Sequence, residues 1–110
     1  MQEKVEIGIL NAYYGNLLNE RQREIMRLYY DCDMSLAEVS EELGITRQGI
    51  RESLVRSKAK LIECEDKLKI VEKVKLITYN LESVIKELPN KDITDTKSDL
   101  EEVLKIVKEL

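Results

Sequence analysis

The chain has 110 residues, 43% hydrophobic and 36% charged, with four Gly and one Pro, a length that favours one compact domain with room for a short appended helical unit and excludes two full domains. Abundant Glu, Lys and Leu with so few breakers favour helix over sheet. The net charge of -4 does not favour nonspecific association with phosphate, so contact with nucleic acid has to come from a local basic face.

The apolar runs are only a few residues long, and the opening Met1-Gln2-Glu3-Lys4 carries no apolar signal core. Neither a membrane span nor a secretion signal is expected, and a cytoplasmic location follows. Cys32 and Cys64 stand far apart without CxxC spacing, and the chain has no histidine to complete a zinc site or act as a base near neutrality. No cofactor or metal is expected.

Val5, Ile9, Ala12 and Tyr13 recur at spacings of three and four and predict one face of a first helix, which Gly15 can end in a left-handed cap. Leu17 and Leu18 bridge to the next element. Asn19 with Gln22 three residues on reads as a capping box, and Ile25, Leu28 and Tyr29 give the stripe of a second helix to about Asp31. Ser35 with Glu38 is a stronger capping box, opening a third helix in which Leu36, Val39 and Leu43 face inward and Ala37 and Ser40 allow close packing. Gly44 supplies the positive φ of a tight exit, Ile45 drops into the core, and Thr46 caps a fourth helix with Ile50, Leu54 and Leu61 along one side. The inward stripe changes phase after Leu61, which puts a break near Cys64 to Asp66. Ile70, Val74, Ile77, Leu81, Val84 and Leu88 then follow heptad spacing up to Pro89-Asn90. Ile93, Leu100, Val103, Leu104, Val107 and Leu110 mark a last helix preceded by the cap candidates Asp92, Thr94 and Asp95. The expected organisation is a helical domain over 1–62, with a helix-turn-helix at 35–62, and a C-terminal antiparallel helical hairpin over 63–110.

Residues 1–34 hold four Lys or Arg against six Asp or Glu, residues 35–62 five against four, and residues 63–110 nine against twelve. Only the middle segment is net positive, and it is polarised. Glu38, Glu41 and Glu42 come first; Arg47, Arg51, Arg56, Lys58 and Lys60 follow, opposed by Glu52 alone. A capped helix, a glycine turn with an apolar residue after it, and a second capped helix bearing base-capable side chains make a helix-turn-helix signature. From its second helix Thr46, Arg47, Gln48, Arg51 and Glu52 project where phosphates or base edges in a major groove are reached, and Gly49 lets backbone approach closely. As a plain helical corner the same basic residues would be a solvated face; two caps, the turn glycine and the charge reversal together favour nucleic-acid contact.

Residues 18–62, from Leu18-Asn19-Glu20-Arg21-Gln22-Arg23 through Gly44-Ile45-Thr46-Arg47-Gln48-Gly49-Ile50-Arg51, resemble region 4 of bacterial sigma factors, which reads the promoter -35 element. Sigma region 2 is absent. With the short N-terminal helix and the acidic helical tail, nearly the whole chain is similar to the YlxM-like family of small bacterial helix-turn-helix proteins. The resemblance implies an all-α fold, a sigma region 4-like helix-turn-helix followed by a C-terminal helical hairpin. It also implies a DNA-binding regulator linked, through the neighbourhood of its gene in Gram-positive bacteria, to the signal recognition particle pathway. Carried over position by position, the nucleic-acid-binding residues are Thr46, Arg47, Gln48, Arg51 and Arg56. Gly49 stands where sigma region 4 usually has a long polar residue, and Val55 makes the outward face less polar.

Tyr13, Tyr14, Tyr29 and Tyr30 form two adjacent pairs that can stack on single-stranded bases, but in a chain without Phe or Trp such residues supply aromatic core, one of each pair. Cys64 has no histidine to activate it and stands among the acidic Glu63, Glu65 and Asp66, so it reads as structural or incidental and not as a nucleophile. Asp99, Glu101 and Glu102 read as a solvated helical face without a calcium-loop glycine. No enzyme is expected. DNA is the expected partner, with RNA also compatible, and a homodimer would give such a small module half-site spacing. The competing expectation is an interaction module that contacts the signal recognition particle or another protein through its acidic tail.

Overall fold

The computed structural model describes residues 2–90 and 92–110, with the side chains of all these except Gln2 and Pro89. Every regular element among the described residues is helical, as the all-α class requires, the α-helices being α1 (Gln2–Tyr14), α2 (Glu20–Met26), α3 (Leu36–Leu43), α4 (Arg47–Leu68), α5 (Ile70–Glu87) and α6 (Ile93–Lys108). They form two compact units, one ending at Leu68 and the other starting at Lys69.

Helix α4 is the spine of the N-terminal unit, and α1, α2 and α3 all pack on it. Ile50, Leu54 and Leu61 turn inward from α4 to meet a core that includes Ile7, Tyr14, Leu18, Ile25, Met26, Leu28 and Val39. On α1 the buried face is Ile7 and Tyr14, seven residues apart, and not the expected stripe: Val5 stays 62% exposed and Tyr13 46%. Hydrogen bonding decides between the two tyrosines, since the Tyr14 hydroxyl donates to Glu65 Oε1 of α4 at 2.5 Å. Gly15 is not left-handed. It opens a 3₁₀ turn, Gly15–Leu17, and is buried so tightly that a Cβ there would lie 2.7 Å from Asn11 Oδ1.

Both capping boxes form. Asn19 Oδ1 accepts from the Gln22 N–H at 2.8 Å while Gln22 Oε1 accepts from the Asn19 N–H at 3.1 Å, and Ser35 and Glu38 exchange the same pair of bonds at 3.1 and 3.0 Å. Beyond Met26 the second helix does not continue as an α-helix. It widens into a π-helical turn, Arg27–Asp31, and the added residue rotates the side chains that follow, so Leu28 is buried but Tyr29 and Tyr30 are both half-buried, edge to face at 5.0 Å. Asp33 in the left-handed region (φ 56°) then lets the Met34 N–H reach back to the Leu28 carbonyl at 3.1 Å, closing the helix end. Lys4 ties α1 to this end through an ion pair with Asp33, its ammonium 5.3 Å from the Tyr29 ring centre.

The break expected near Cys64 to Asp66 falls later. Helix α4 runs unbroken to Leu68, helped by the Glu63–Lys67 ion pair at 2.8 Å, and stops where Lys69 takes a left-handed φ of 57°. The boundary between units is therefore 68/69, six residues beyond the expected 62/63. The C-terminal unit is an antiparallel pair, α5 against α6, in which Lys73 Nζ near the start of α5 donates to the Glu109 carbonyl beyond the end of α6 at 3.4 Å. A 3₁₀ turn, Leu88–Asn90, ends α5 at the expected place, and Asp92 takes the extended cap position of α6. Among the described residues of this unit, Val71, Val84 and Val103 are buried. Of the heptad stripe, Ile70, Val74 and Ile77 are half-buried and Leu81 and Leu88 face solvent.

Candidate nucleic-acid interface

The corner between α3 and α4 is built by Ser40, Gly44, Ile45, Thr46 and Gly49. Gly44 (φ 67°, ψ 30°) ends α3 in the left-handed region, which only glycine enters without a Cβ penalty. The Ser40 carbonyl accepts from both Gly44 N–H (3.0 Å) and Ile45 N–H (3.2 Å), while the Ser40 hydroxyl donates to the Ile45 carbonyl. Ser40 was expected to matter for its size; it also latches the turn with three hydrogen bonds. Thr46 then caps α4, its Oγ1 accepting from the Gly49 N–H at 3.0 Å. Gly49 has an internal use as well: a Cβ there would sit 2.8 Å from Ile45 Cγ2, so its absence lets Ile45 fold over the first turn of α4.

Outward from this corner stand Thr46, Arg47, Gln48 and Arg51, all exposed. They are ordered among themselves, since Arg51 Nη1 donates to Gln48 Oε1 at 3.2 Å and Gln48 Nε2 donates to Glu52 Oε1 at 3.3 Å. The chain of bonds holds a guanidinium, an amide and a carboxylate side by side at the N-terminal end of α4, with a positive and a hydrogen-bonding group both presented to solvent. Arg56 is not brought to them. At about 100° per residue it lies about 140° further round α4 than Arg51. Its neighbours there are Ala59, Lys60, Glu63, Cys64 and Lys67, which with Leu68 line a shallow depression. The helix thus has two basic edges, Arg47 with Arg51 and Arg56 with Lys60, separated by Gln48, Glu52 and the 59% exposed Val55.

By the same rotation Lys58 lies in line with Arg47 and Arg51, about two turns beyond Arg51, but it is paired within the fold. Its ammonium donates to Glu3 Oε1 of α1 at 3.1 Å, a bond that raises its pKa above the ordinary lysine value. One fifth of the positive charge in the 47–60 run is spent inside the fold. Lys60 was absent from the expected site; its spacing of four from Arg56 was the available signal. Among the described residues no group of three or more His, Cys, Asp or Glu could hold a metal ion, and no helix is long and apolar enough to cross a membrane.

A capped helix, a left-handed glycine turn latched by Ser40, and a second capped helix with its polar edge outward together define a helix-turn-helix protein. The chain belongs to the UPF0122 family, described as "Putative helix-turn-helix protein, YlxM / p13 like", which matches residues 1–108. It is 36% identical to a UPF0122 protein of Desulforamulus reducens over 110 residues, covering all of this chain and 94% of the relative. A UPF0122 protein of Acetivibrio thermocellus is 35% identical over 109 residues, 99% of this chain and 93% of its own. One from Clostridium novyi is 32% identical over 108 residues, 98% and 94% of the two chains.

Proposed function

We propose that this protein is a cytoplasmic DNA-binding regulator, not an enzyme, that acts as a homodimer in the signal recognition particle pathway. The observation that carries the proposal is the ordered Arg51–Gln48–Glu52 chain beside Arg47 on the exposed start of α4, the part of a helix-turn-helix that enters a major groove. Bidentate arginine recognises guanine edges and glutamine recognises adenine, so this edge has the chemistry to discriminate bases. Arg56 and Lys60, on the far edge, suit phosphates on the opposite wall of the groove. The pathway assignment rests on the family resemblance. Two exposed or half-exposed free cysteines accord with a reducing compartment.

The test is anisotropy of labelled duplex fragments from the source genome, titrated with the whole protein at several salt concentrations. Binding should weaken steeply with salt. The Arg47→Ala, Arg51→Ala double variant should lose affinity about ten-fold or more, while Arg56→Ala should lower the logarithmic salt slope by about 1 with little change of sequence preference. Binding that ignores both arginines would overturn the proposal in favour of a protein or ribonucleoprotein partner.

A further inference from the structure

The C-terminal hairpin leaves a large apolar stripe uncovered. On α6, Val103 alone is buried, while Ile93 is 85% exposed and Leu100 and Leu104 about half exposed. These three residues, with Leu88 from the preceding turn, line one open groove of about 450 Å³, into which Lys97 and Glu101 also project. A continuous apolar stripe bordered by charges is the form of a surface that another molecule covers.

The order of residues along the stripe says what fits it. Lys97 and Glu101 lie four apart on one flank, and their midpoint falls at Asp99. Measured from that point along the helix axis, Ile93 is about 9 Å toward the N-terminus and Leu104 about 7.5 Å toward the C-terminus. A two-fold axis through this midpoint therefore sets Ile93 beside the partner's Leu104, Leu100 beside the partner's Leu100, and Leu104 beside the partner's Ile93. The same operation sets Lys97 beside the partner's Glu101, and it does so twice. The face is complementary in shape order and in charge to an antiparallel copy of itself, which is what an isologous contact demands. An unrelated partner would need no such symmetry.

We propose that α6 is the seam of the homodimer, two copies packing antiparallel across Ile93, Leu100 and Leu104 with reciprocal Lys97–Glu101 ion pairs. It rests on the homodimer proposed above and names its surface.

Sedimentation of the whole protein at micromolar concentration tests it without DNA. Wild type should sediment as two chains and Leu100→Glu as one. Lys97→Glu and Glu101→Lys, each alone, should weaken pairing at least ten-fold, because each puts two like-charged pairs at the seam. Mixing these two variants should restore a two-chain species containing one of each, since all four facing charges are then opposite; this rescue also shows that neither variant has unfolded. A wild-type mass of two chains unmoved by any variant would overturn the α6 seam and leave the dimer standing. A wild-type mass of one chain would overturn both, and would assign the stripe to the chain's own N-terminal unit or to a different protein.

Discussion

Helices α4 and α6 both carry an apolar stripe, and the fold treats them differently. On α4, Ile50 and Leu61 are wholly buried because three other helices close over them. On α6, α5 is the only helical neighbour among the described residues of its unit, so Val103 is buried while Ile93, Leu100, Leu104 and Val107 stay 45% or more exposed. Two helices touch along one line and cannot enclose a residue from all sides; four can. Stability in this chain is thus concentrated before Leu68, and the residues after it hold a surface in reserve.

The strongest way to break this comparison is to truncate one side chain from each region. Leu61→Ala should destabilise by about 2 to 5 kcal/mol, and Ile85→Ala, 70% exposed on α5, by under about 0.5 kcal/mol, both read from urea unfolding. Equal losses would mean that the hairpin is as tightly packed as the N-terminal core. Helix caps sharpen the contrast on a smaller scale. Ser35→Ala removes an accepted hydrogen bond at the start of α3 and should destabilise by about 1 kcal/mol, whereas Asp92 makes no side-chain cap bond on α6 and its alanine variant should be nearly silent in the same assay.

Acid gives the smallest effect. The Glu38 carboxylate accepts the Ser35 backbone N–H, which holds its pKa below the ordinary 4.5. A depressed folded-state value means that the associated stability is complete above the ordinary range and is lost as pH falls through the lowered value. Asp33 and Glu63 shift the same way, each through a lysine, and all three precede Leu68. Thermal unfolding of Glu38→Gln should therefore fall less steeply than wild type below pH 4.5, with the difference vanishing at the acid end.

What was legible in the sequence was local. Each capping box joins residues three apart, and the left-handed glycine at 44 follows from the chain's need to turn, so neighbours alone decide them. The phase of α1 was not legible, because Tyr14 is selected over Tyr13 by a glutamate 51 residues away. Nor was the π turn at Arg27–Asp31, which shifts the tyrosines by one added residue without any Gly or Pro to announce it. Within the candidate site, Thr46, Arg47, Gln48 and Arg51 were placed by adjacency to the cap and fall together. Arg56 was separated from them by helix rotation, arithmetic that needs only the spacing. The withdrawal of Lys58 by Glu3, by contrast, requires the tertiary fold.

Because α4 is at once the beam on which α1, α2 and α3 rest and the rod whose tip carries Arg47 and Arg51, the tip has no suspension of its own. A ligand pressing on it pushes directly against Ile50 and Leu54, and tilting it would mean opening the interior. A nucleic acid bound at the proposed interface would meet a tip already set, with little backbone freedom left to lose. It also cannot bend to suit a poor match, so any adaptation has to come from the rotamers of the side chains at its surface or from deformation of the target.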